Sequence, residues 1–365
     1  TKRSGHRISY ASTNRAYRNR LMYSYNSGLT TKGWAFSACV STRYSDEGYI
    51  DGTYYSSLSY LLGIEKKINS FHSVSLVGFA APTVQARQGI ALQEVYDLTG
   101  NNYYNPYWGY QTQSNGTLKK RNARLRDNHK PYTLLSHYWT PNEKIKLSTT
   151  LYAVVGKTGN TNLNWYDAQD PRPDYYRYLP SFYSDNPQMM STVQQSWQNN
   201  DPSTTQLDWD GMYNANYKNL YSVINPNGNQ GTVLTANRSK YIVEEYRLDP
   251  RQFGFNSIYN QKLNDKLNLS IGLNIDRYTS FNYKLMDDLL GGDFWIDVDQ
   301  FAEQDFEDQT IAQNDLLNTN NIITAGDRFG YDYNIHVNKS SLFTQLEGKF
   351  KKMDFFIGIT GSNTN

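Results

Sequence analysis

Cysteine is almost missing from this chain. Cys39 is the one thiol in 365 residues, so no disulfide can form within it, and its alternation with serines reads as a small, inert side chain. Histidine is scarce too. His6, His72, His129, His137 and His336 fall in separate segments without ligand spacing, which argues against a zinc or haem centre. Charged residues make up only 19 % and nearly cancel to +2, so no nucleic acid partner is expected, since such binders concentrate basic side chains on one face. There is no P-loop, dinucleotide fingerprint or nucleophile elbow, and no enzyme activity is expected.

Long apolar runs are also lacking. No stretch approaches the 18 or more residues of a membrane-spanning helix. A mean hydropathy of −0.73 would suit a soluble protein, for which this length suggests two domains. That reading overlooks membrane β-barrels, whose strands are apolar only at every second position. The opening TKRSGHRISY carries no leader pattern, which leaves a cytoplasmic chain or one whose beginning lies upstream.

What the chain has in excess is tyrosine, 32 copies beside 15 Phe and 7 Trp, together with a sustained period of two. Leu267, Leu269, Ile271, Leu273 and Ile275 alternate with Asn268, Ser270, Gly272, Asn274 and Asp276. Trp34, Phe36, Ala38, Val40 and Tyr44 alternate with Ala35, Ser37, Cys39, Ser41 and Arg43. Ile145, Leu147, Leu151, Ala153 and Val155 alternate with Lys146, Ser148, Thr150 and Tyr152. A helix would scatter these sets around its whole surface, whereas a strand collects each on one face. The same pattern predicts ten strands, at 15–27, 33–45, 54–67, 71–82, 132–141, 145–156, 252–263, 266–281, 340–350 and 353–361. Most match the ~9–11 residues that a tilted strand needs to cross a bilayer.

Tight polar turns near Gly28–Lys32, Asn69–Ser70, Asn142–Lys144, Asn264–Asp265 and Lys351–Lys352 alternate with long links at 46–53, 83–131, 157–251 and 282–339. Short turns on one rim and long loops on the other is the asymmetry of an outer-membrane barrel. Trp34, Tyr44, Phe71, Trp139 and Phe350 stand at strand ends where interfacial girdles lie. Loops of this size suit a wide, plugged barrel of about 22 strands better than a narrow ten-stranded tube. The expectation is therefore an all-β protein: a transmembrane antiparallel β-barrel with long extracellular loops, residues 1–365 forming one part of it. Glu65 and Lys67 are expected to face the lumen, and Arg43, Asp46 and Glu47 to line it near an outer strand end.

Two loop neighbourhoods carry candidate chemistry. Tyr103, Tyr104, Tyr107, Trp108 and Tyr110 lie in one loop, and Trp165, Tyr166, Tyr175, Tyr176, Tyr178, Phe182 and Tyr183 in the next. Such rings either stack on sugars, peptide side chains or planar ligands, or pack the loops into a rigid mass. The stretch around them, 157–251, shows no sustained strand or helix period. Arg172 and Arg177 beside Asp167, Asp170 and Asp174 read as ion pairs internal to the loop, and Pro171 and Pro173 fix its course. The second neighbourhood is acidic. Asp293, Asp297 and Asp299 with Gly291–Gly292 offer oxygen ligands for a structural calcium ion, without EF-hand spacing, while Val298, Phe301, Ala302 and Phe306 suggest a short helix. No other cofactor is expected.

The phrases TNRAYRNRLMYSYNSGL, GWAFSACVSTRYSDEGYIDG, LQEVYDLTGNNYYNPYWGYQ, HYWTPNEKIKLSTTLY, NWYDAQDPRPDYYRYLPSFY and MDDLLGGDFWIDVDQFAEQD occur in that order. Together they resemble the barrel of the TonB-dependent receptors of Bacteroidota, specifically the Oar-like group. The resemblance implies a carboxypeptidase-regulatory-like β-sandwich and a plug ahead of a 22-stranded barrel. It also implies that residue 1 stands near the plug–barrel junction, that the plug and the remaining strands lie outside this sequence, and that TonB engages through that missing part. Outer-membrane lipids are the expected surroundings. The functional expectation is import of a ligand too large for porins. The competing readings are a scaffold barrel whose loops hold surface lipoproteins, and a soluble glycan-binding β protein.

Overall fold

A computed structural model describes residues 4–308 and 310–365. Eleven strands form an antiparallel meander: β1 Gly5–Ser12, β2 Asn19–Asn26, β3 Trp34–Ser45, β4 Tyr55–Lys67, β5 His72–Ala80, β6 Tyr132–Asn142, β7 Ile145–Val155, β8 Tyr241–Lys262, β9 Leu267–Asp288, β10 Arg328–Phe350 and β11 Met353–Thr364. Each pairs with its neighbours in sequence order, so the wall is a single ladder of hydrogen bonds. The turns β2–β3, β4–β5, β6–β7, β8–β9 and β10–β11 are short, and the long links all leave the opposite rim. Asparagine shapes three of these turns. Asn69 accepts from the N–H groups of Phe71 and His72, Asn142 from Lys144 and Ile145, and Asn264 from Lys266.

Directly paired residues share a face, so the registers carry rows of side chains across the wall. Ala38, Leu62, Gly78, Thr133, Ala153, Phe253 and Arg277 are successive partners along one such row. Their face holds the exposed apolar side chains Trp34, Phe36, Val40, Leu58, Leu76, Leu135, Leu151, Leu273, Ile275 and Leu342. The opposite face carries Ser37, Ser41, Ser57, Ser75, Ser136, Ser148, Thr150, Asn256 and Asn274, with Glu65 and Lys67 in the same register. An apolar belt this wide left exposed is a lipid-facing surface. On the polar face, aromatic rings cover glycines. A Cβ at Gly254 would stand 2.1 Å from the Tyr152 ring, and one at Gly272 1.9 Å from the Phe343 ring.

The structure differs from the sequence expectation in three respects. β1 was not among the ten expected strands, because Ile8 and Tyr10 alone mark its apolar face. β8, β9 and β10 start or end well beyond 252–263, 266–281 and 340–350, and reach 22, 22 and 23 residues. Their added halves, such as Glu244, Glu245, Arg247 and Asp249, put charge on both faces, since one side meets the loops and the other water; no apolar alternation survives there. Finally, three wall strands continue after a break. β5 resumes as Thr83–Ala86, β6 is preceded by Leu125–His129, and β7 resumes as Lys157–Trp165. The breaks fall at Ala81–Pro82, Lys130–Pro131 and Gly156. Registers stay in step across them, with Phe79↔Tyr132 below and Thr83↔Asn128 above. Pro82 and Pro131 have no N–H to give the ladder, which accounts for two of the breaks.

The link 156–240 is not irregular either. It contains helices Pro187–Gln198, Pro202–Thr205 and Trp209–Tyr217 and a hairpin of Leu220–Ile224 with Val233–Asn237. Gln300–Asp305 is the short helix expected from the 298–306 spacing.

The two faces of the wall predict opposite responses to charge. Leu62→Arg on the apolar face should destabilise the folded barrel in lipid vesicles by ~2–4 kcal/mol. Ser75→Arg, one strand away on the polar face, should change stability by less than about 1 kcal/mol, because its charge stays in water. Urea unfolding followed by tryptophan fluorescence checks both; equal effects would contradict the assignment of faces.

Candidate functional site

Above the wall, three long links dock into one layer. The 81–131 link meets 156–240 through Tyr104, whose ring stands edge-on to Trp197 at 5.6 Å and whose hydroxyl donates to the Thr205 carbonyl at 2.7 Å. Ser181 donates from its N–H and hydroxyl to Glu94 at 2.9 and 2.6 Å, and Leu207 N–H donates to the Trp108 carbonyl at 2.9 Å. Arg121 reaches Asp288 at 2.5 Å. Between 156–240 and 289–327, Arg238 pairs with Glu303 at 3.0 Å while lying between the rings of Tyr166 and Tyr221, at 4.5 and 4.9 Å. The shorter link 46–54 joins through Glu47, which accepts from Lys120 at 2.6 Å, and through Gly52, where any Cβ would fall 2.1 Å from the Trp108 ring.

Most expected aromatic contacts are internal. Tyr104 and Trp108 are buried, and burial, helped by Asp174, pushes the Tyr104 hydroxyl well above its ordinary pKa. Arg124 covers Tyr107, Lys120 covers Trp108 and Tyr110, and Arg172 covers Trp165. Tyr166 lies against Trp295 and Arg238. Tyr175, Tyr176, Tyr178, Phe182 and Tyr183 form a chain of edge-to-face contacts at 4.8–5.8 Å. The rings with open surface are Tyr103, Tyr110, Tyr176 and Phe182. Of the expected loop ion pairs, Arg172 binds Asp170 at 2.6 Å, whereas Arg177 donates to the Tyr176 hydroxyl instead. Asp174 is half-buried, and that burial raises its carboxyl pKa despite Arg172 nearby.

The three carboxylates considered for calcium are not brought together. Asp293 accepts from Asn237 N–H, Asp297 accepts from Asn314 and from Gly330 N–H, and Asp299 caps the helix Gln300–Asp305. Among the described residues no group of three or more His, Cys, Asp or Glu side chains is placed to share a metal ion. Only Asp299 is taken up by neighbouring N–H groups; Asp293 and Asp297 are drawn to donors 17 to 56 residues away, which separates oxygens that spacing alone had assigned to a cation.

A cleft of about 820 Å³ is walled by Asp167–Pro173 on one side and by the three helices of 187–217 on the other, with Lys240 and Tyr241 also lining it. Arg172 is paired with Asp170, Lys240 stands by Asp167, to whose carbonyl it donates at 3.2 Å, and Asp208 accepts from the Gly211 N–H. Thr192, Ser196, Ser203, Thr204 and Gln206 supply neutral hydroxyl and amide groups. Tyr241 donates to the Gln169 carbonyl, and its hydroxyl is pushed up to about 12 by burial and the neighbouring Tyr178. A second hollow behind the same segment, about 490 Å³, is lined by Tyr175, Arg177 and Tyr178.

No protein-family model matches the chain, and no curated protein matches its sequence. Solved structures do match. The ferric citrate transporter FecA, in its unliganded form, aligns with TM-score 0.55 at 6 % identity over 98 % of this chain and 37 % of its own. The closed form of the ferric-catecholate import receptor Fiu from E. coli K12 gives 0.55 at 8 % identity over 100 % of this chain and 42 % of its own. The complex of FpvAI with pyocin S2 gives 0.52 at 9 % identity over 99 % and 38 %. The fold is that of the outer-membrane TonB-dependent receptors. This chain spans less than half the length of each.

Sequence reasoning missed the side chain that holds this receptor-like loop layer together. Asn216 is fully buried; its amide donates to the carbonyls of Tyr241, Leu289 and Leu290 at 2.7, 2.9 and 3.0 Å. Its oxygen accepts from the N–H groups of Lys240 and Tyr241 at 2.7 and 3.0 Å. Around it pack Trp209, Met212, Leu207, Leu163, Val243 and Leu290. The helices were open to detection from their starts: Asn186–Pro187, Asp201–Pro202 and Asp208 are N-caps, accepting from Met189, Ser203 and Gly211.

Asn216→Leu keeps the volume and removes the partner of four backbone groups, each at about 1–3 kcal/mol when buried unpaired, while the Leu289 carbonyl keeps Ser239 and Gly292. The expected result is rapid proteolysis within 156–240 and 289–327 of the detergent-solubilised protein, with the wall retaining its heat-modifiable gel mobility. An unchanged digestion pattern would contradict the role given to Asn216.

Proposed function

We propose that the chain is part of a TonB-dependent outer-membrane transporter. In this reading a ligand too large for porins is captured among the extracellular loops, and a plug contributed by another part of the protein releases it inward when TonB is energised. The observation that carries the reading is the cleft between Asp167–Pro173 and the helices 187–217, set in a docked loop layer on the long-loop rim of the wall. The import receptors FecA and Fiu, similar in fold, support it. Within that frame the exposed rings Tyr103, Tyr110 and Tyr176 extend the receiving surface. The ordered phrases of the sequence, by their resemblance, support placing the transporter in the Oar-like group of Bacteroidota.

A second reading is that the loops hold a surface lipoprotein. It is favoured by the outer face of the hairpin 220–237, where Leu220, Ile224 and Val233 are all exposed.

Filling the cleft separates the two. Thr204→Trp places a large ring among the lining side chains, and Ser222→Trp changes the hairpin instead. Untargeted depletion of solutes from the medium would be compared for cells with the wild-type protein, each variant at equal surface level, and inactive TonB. The transport reading predicts that Thr204→Trp leaves behind the same solutes as TonB inactivation while Ser222→Trp does not. Depletion unaffected by Thr204→Trp would contradict it.

A further inference from the structure

The apolar face of the wall is not evenly filled. The row Ala38–Leu62–Gly78–Thr133–Ala153–Phe253–Arg277 runs across seven strands, and three of its members are small where the row beside it toward the short turns is large. The row next to it, toward the short turns, brings Ile64, Leu76, Leu135, Leu151, Phe255 and Ile275. Two grooves result, each on the lipid side and each overwhelmingly apolar. One, about 450 Å³, runs over Ala153 between Leu135, Leu151 and Phe253 and ends at Arg277. The other, about 490 Å³, runs over Ala38 and Gly78 between Phe36, Leu62 and Leu76. They adjoin at Thr133, which lines both.

The closed end of the first groove is cationic. Arg277 and Arg251 stand on this face on adjacent strands, Arg277 opposite Phe253 and Arg251 opposite Val155 and Thr279. Arg251 lies over the Phe281 ring at 4.6 Å, and among the described residues neither guanidinium has an ion pair or a hydrogen bond. The nearby Arg247 is already matched by Glu245 and Asp249. Arg277 lies ten residues up β9 from Leu267, so on a tilted strand it stands at the outer edge of the hydrocarbon layer. A lipid-facing arginine there has no partner in the protein but faces headgroups.

We propose that this surface is a binding site for a phosphorylated lipid of the outer leaflet, with acyl chains in the two grooves and the phosphate held by Arg251 and Arg277. The charge complementarity names the occupant. A zwitterionic lipid brings one phosphodiester charge that its own ammonium already balances, whereas a phosphate monoester carries nearly two negative charges and can balance both guanidinium groups at once. The site rests on the membrane position of the wall and is independent of what is transported.

The intact protein in neutral detergent would be titrated with phosphatidic acid and with phosphatidylcholine of the same chains, and bound lipid counted by native mass spectrometry. The proposal predicts preferential retention of phosphatidic acid. Replacing both arginines, R251Q with R277Q, should weaken it about thirtyfold, as expected for about 1 kcal/mol per basic side chain at a membrane surface. Thr133→Trp, which fills the junction of the grooves, should lower retention of both lipids, and Arg43→Gln, off this face, should change neither. Heat-modifiable mobility confirms that each variant is folded. Equal retention of the two lipids, or a phosphatidic acid preference that survives R251Q with R277Q, would overturn the proposal.

Discussion

A hydrocarbon layer offers no partner to a peptide N–H or carbonyl, and this constraint governs the molecule. Strands β2 to β10 are each paired on both sides, and chain order and spatial order coincide from β1 to β11. The alternation of apolar and small polar side chains then follows from having lipid on one face and water on the other. Pro82 and Pro131 stand where the constraint is released. Each removes an N–H from the ladder, and both mark the level at which the wall strands break and become a support for loops.

Above that level a different rule applies. The loop layer is held by a small hydrophobic core and by buried polar groups that are almost fully satisfied. Asn216 joins helix Trp209–Tyr217 to the end of β8 and to Leu289–Leu290, and Arg238 does the same for Glu303 between two tyrosine rings. Because β8, β9 and β10 extend past the membrane, these contacts are anchored on rigid strands. The cleft beside Asp167–Pro173 is consequently preformed, with Arg172 paired to Asp170 and neutral hydroxyl and amide side chains along its wall.

The wall was legible in the sequence because its physics is local. Trp34 to Tyr44 and Leu267 to Ile275 show their faces in a window of ten residues, and Asn69, Asn142 and Asn264 announce their turns. Its upper halves were not, since Glu244, Arg247 and Asp249 owe their strand conformation to neighbours far away in the chain. The loops divided in the same way. That rings such as Tyr175, Tyr178 and Phe182 pack one another was within reach of composition, and the helix starts at Asn186, Asp201 and Asp208 were readable from capping chemistry. The role of Asn216 was not, because its five partners lie 24 to 74 residues away. The carboxylates Asp293, Asp297 and Asp299 meet the same limit: closeness in sequence suggested a shared cation, but the partners of Asp293 and Asp297, at Asn237, Asn314 and Gly330, lie 17 to 56 residues away.

The central claim is that the docked loop layer faces the outside of an outer membrane, with the tight turns on the inner side. With Cys39 replaced by serine, single cysteines at Ser184 in the loop layer and at Ser70 in a short turn would be probed on whole cells with a bulky, membrane-impermeant maleimide. The account predicts that Ser184→Cys reacts on intact cells and that Ser70→Cys reacts only after the outer membrane is permeabilised. Labelling of Ser70→Cys on intact cells while Ser184→Cys stays protected would contradict it.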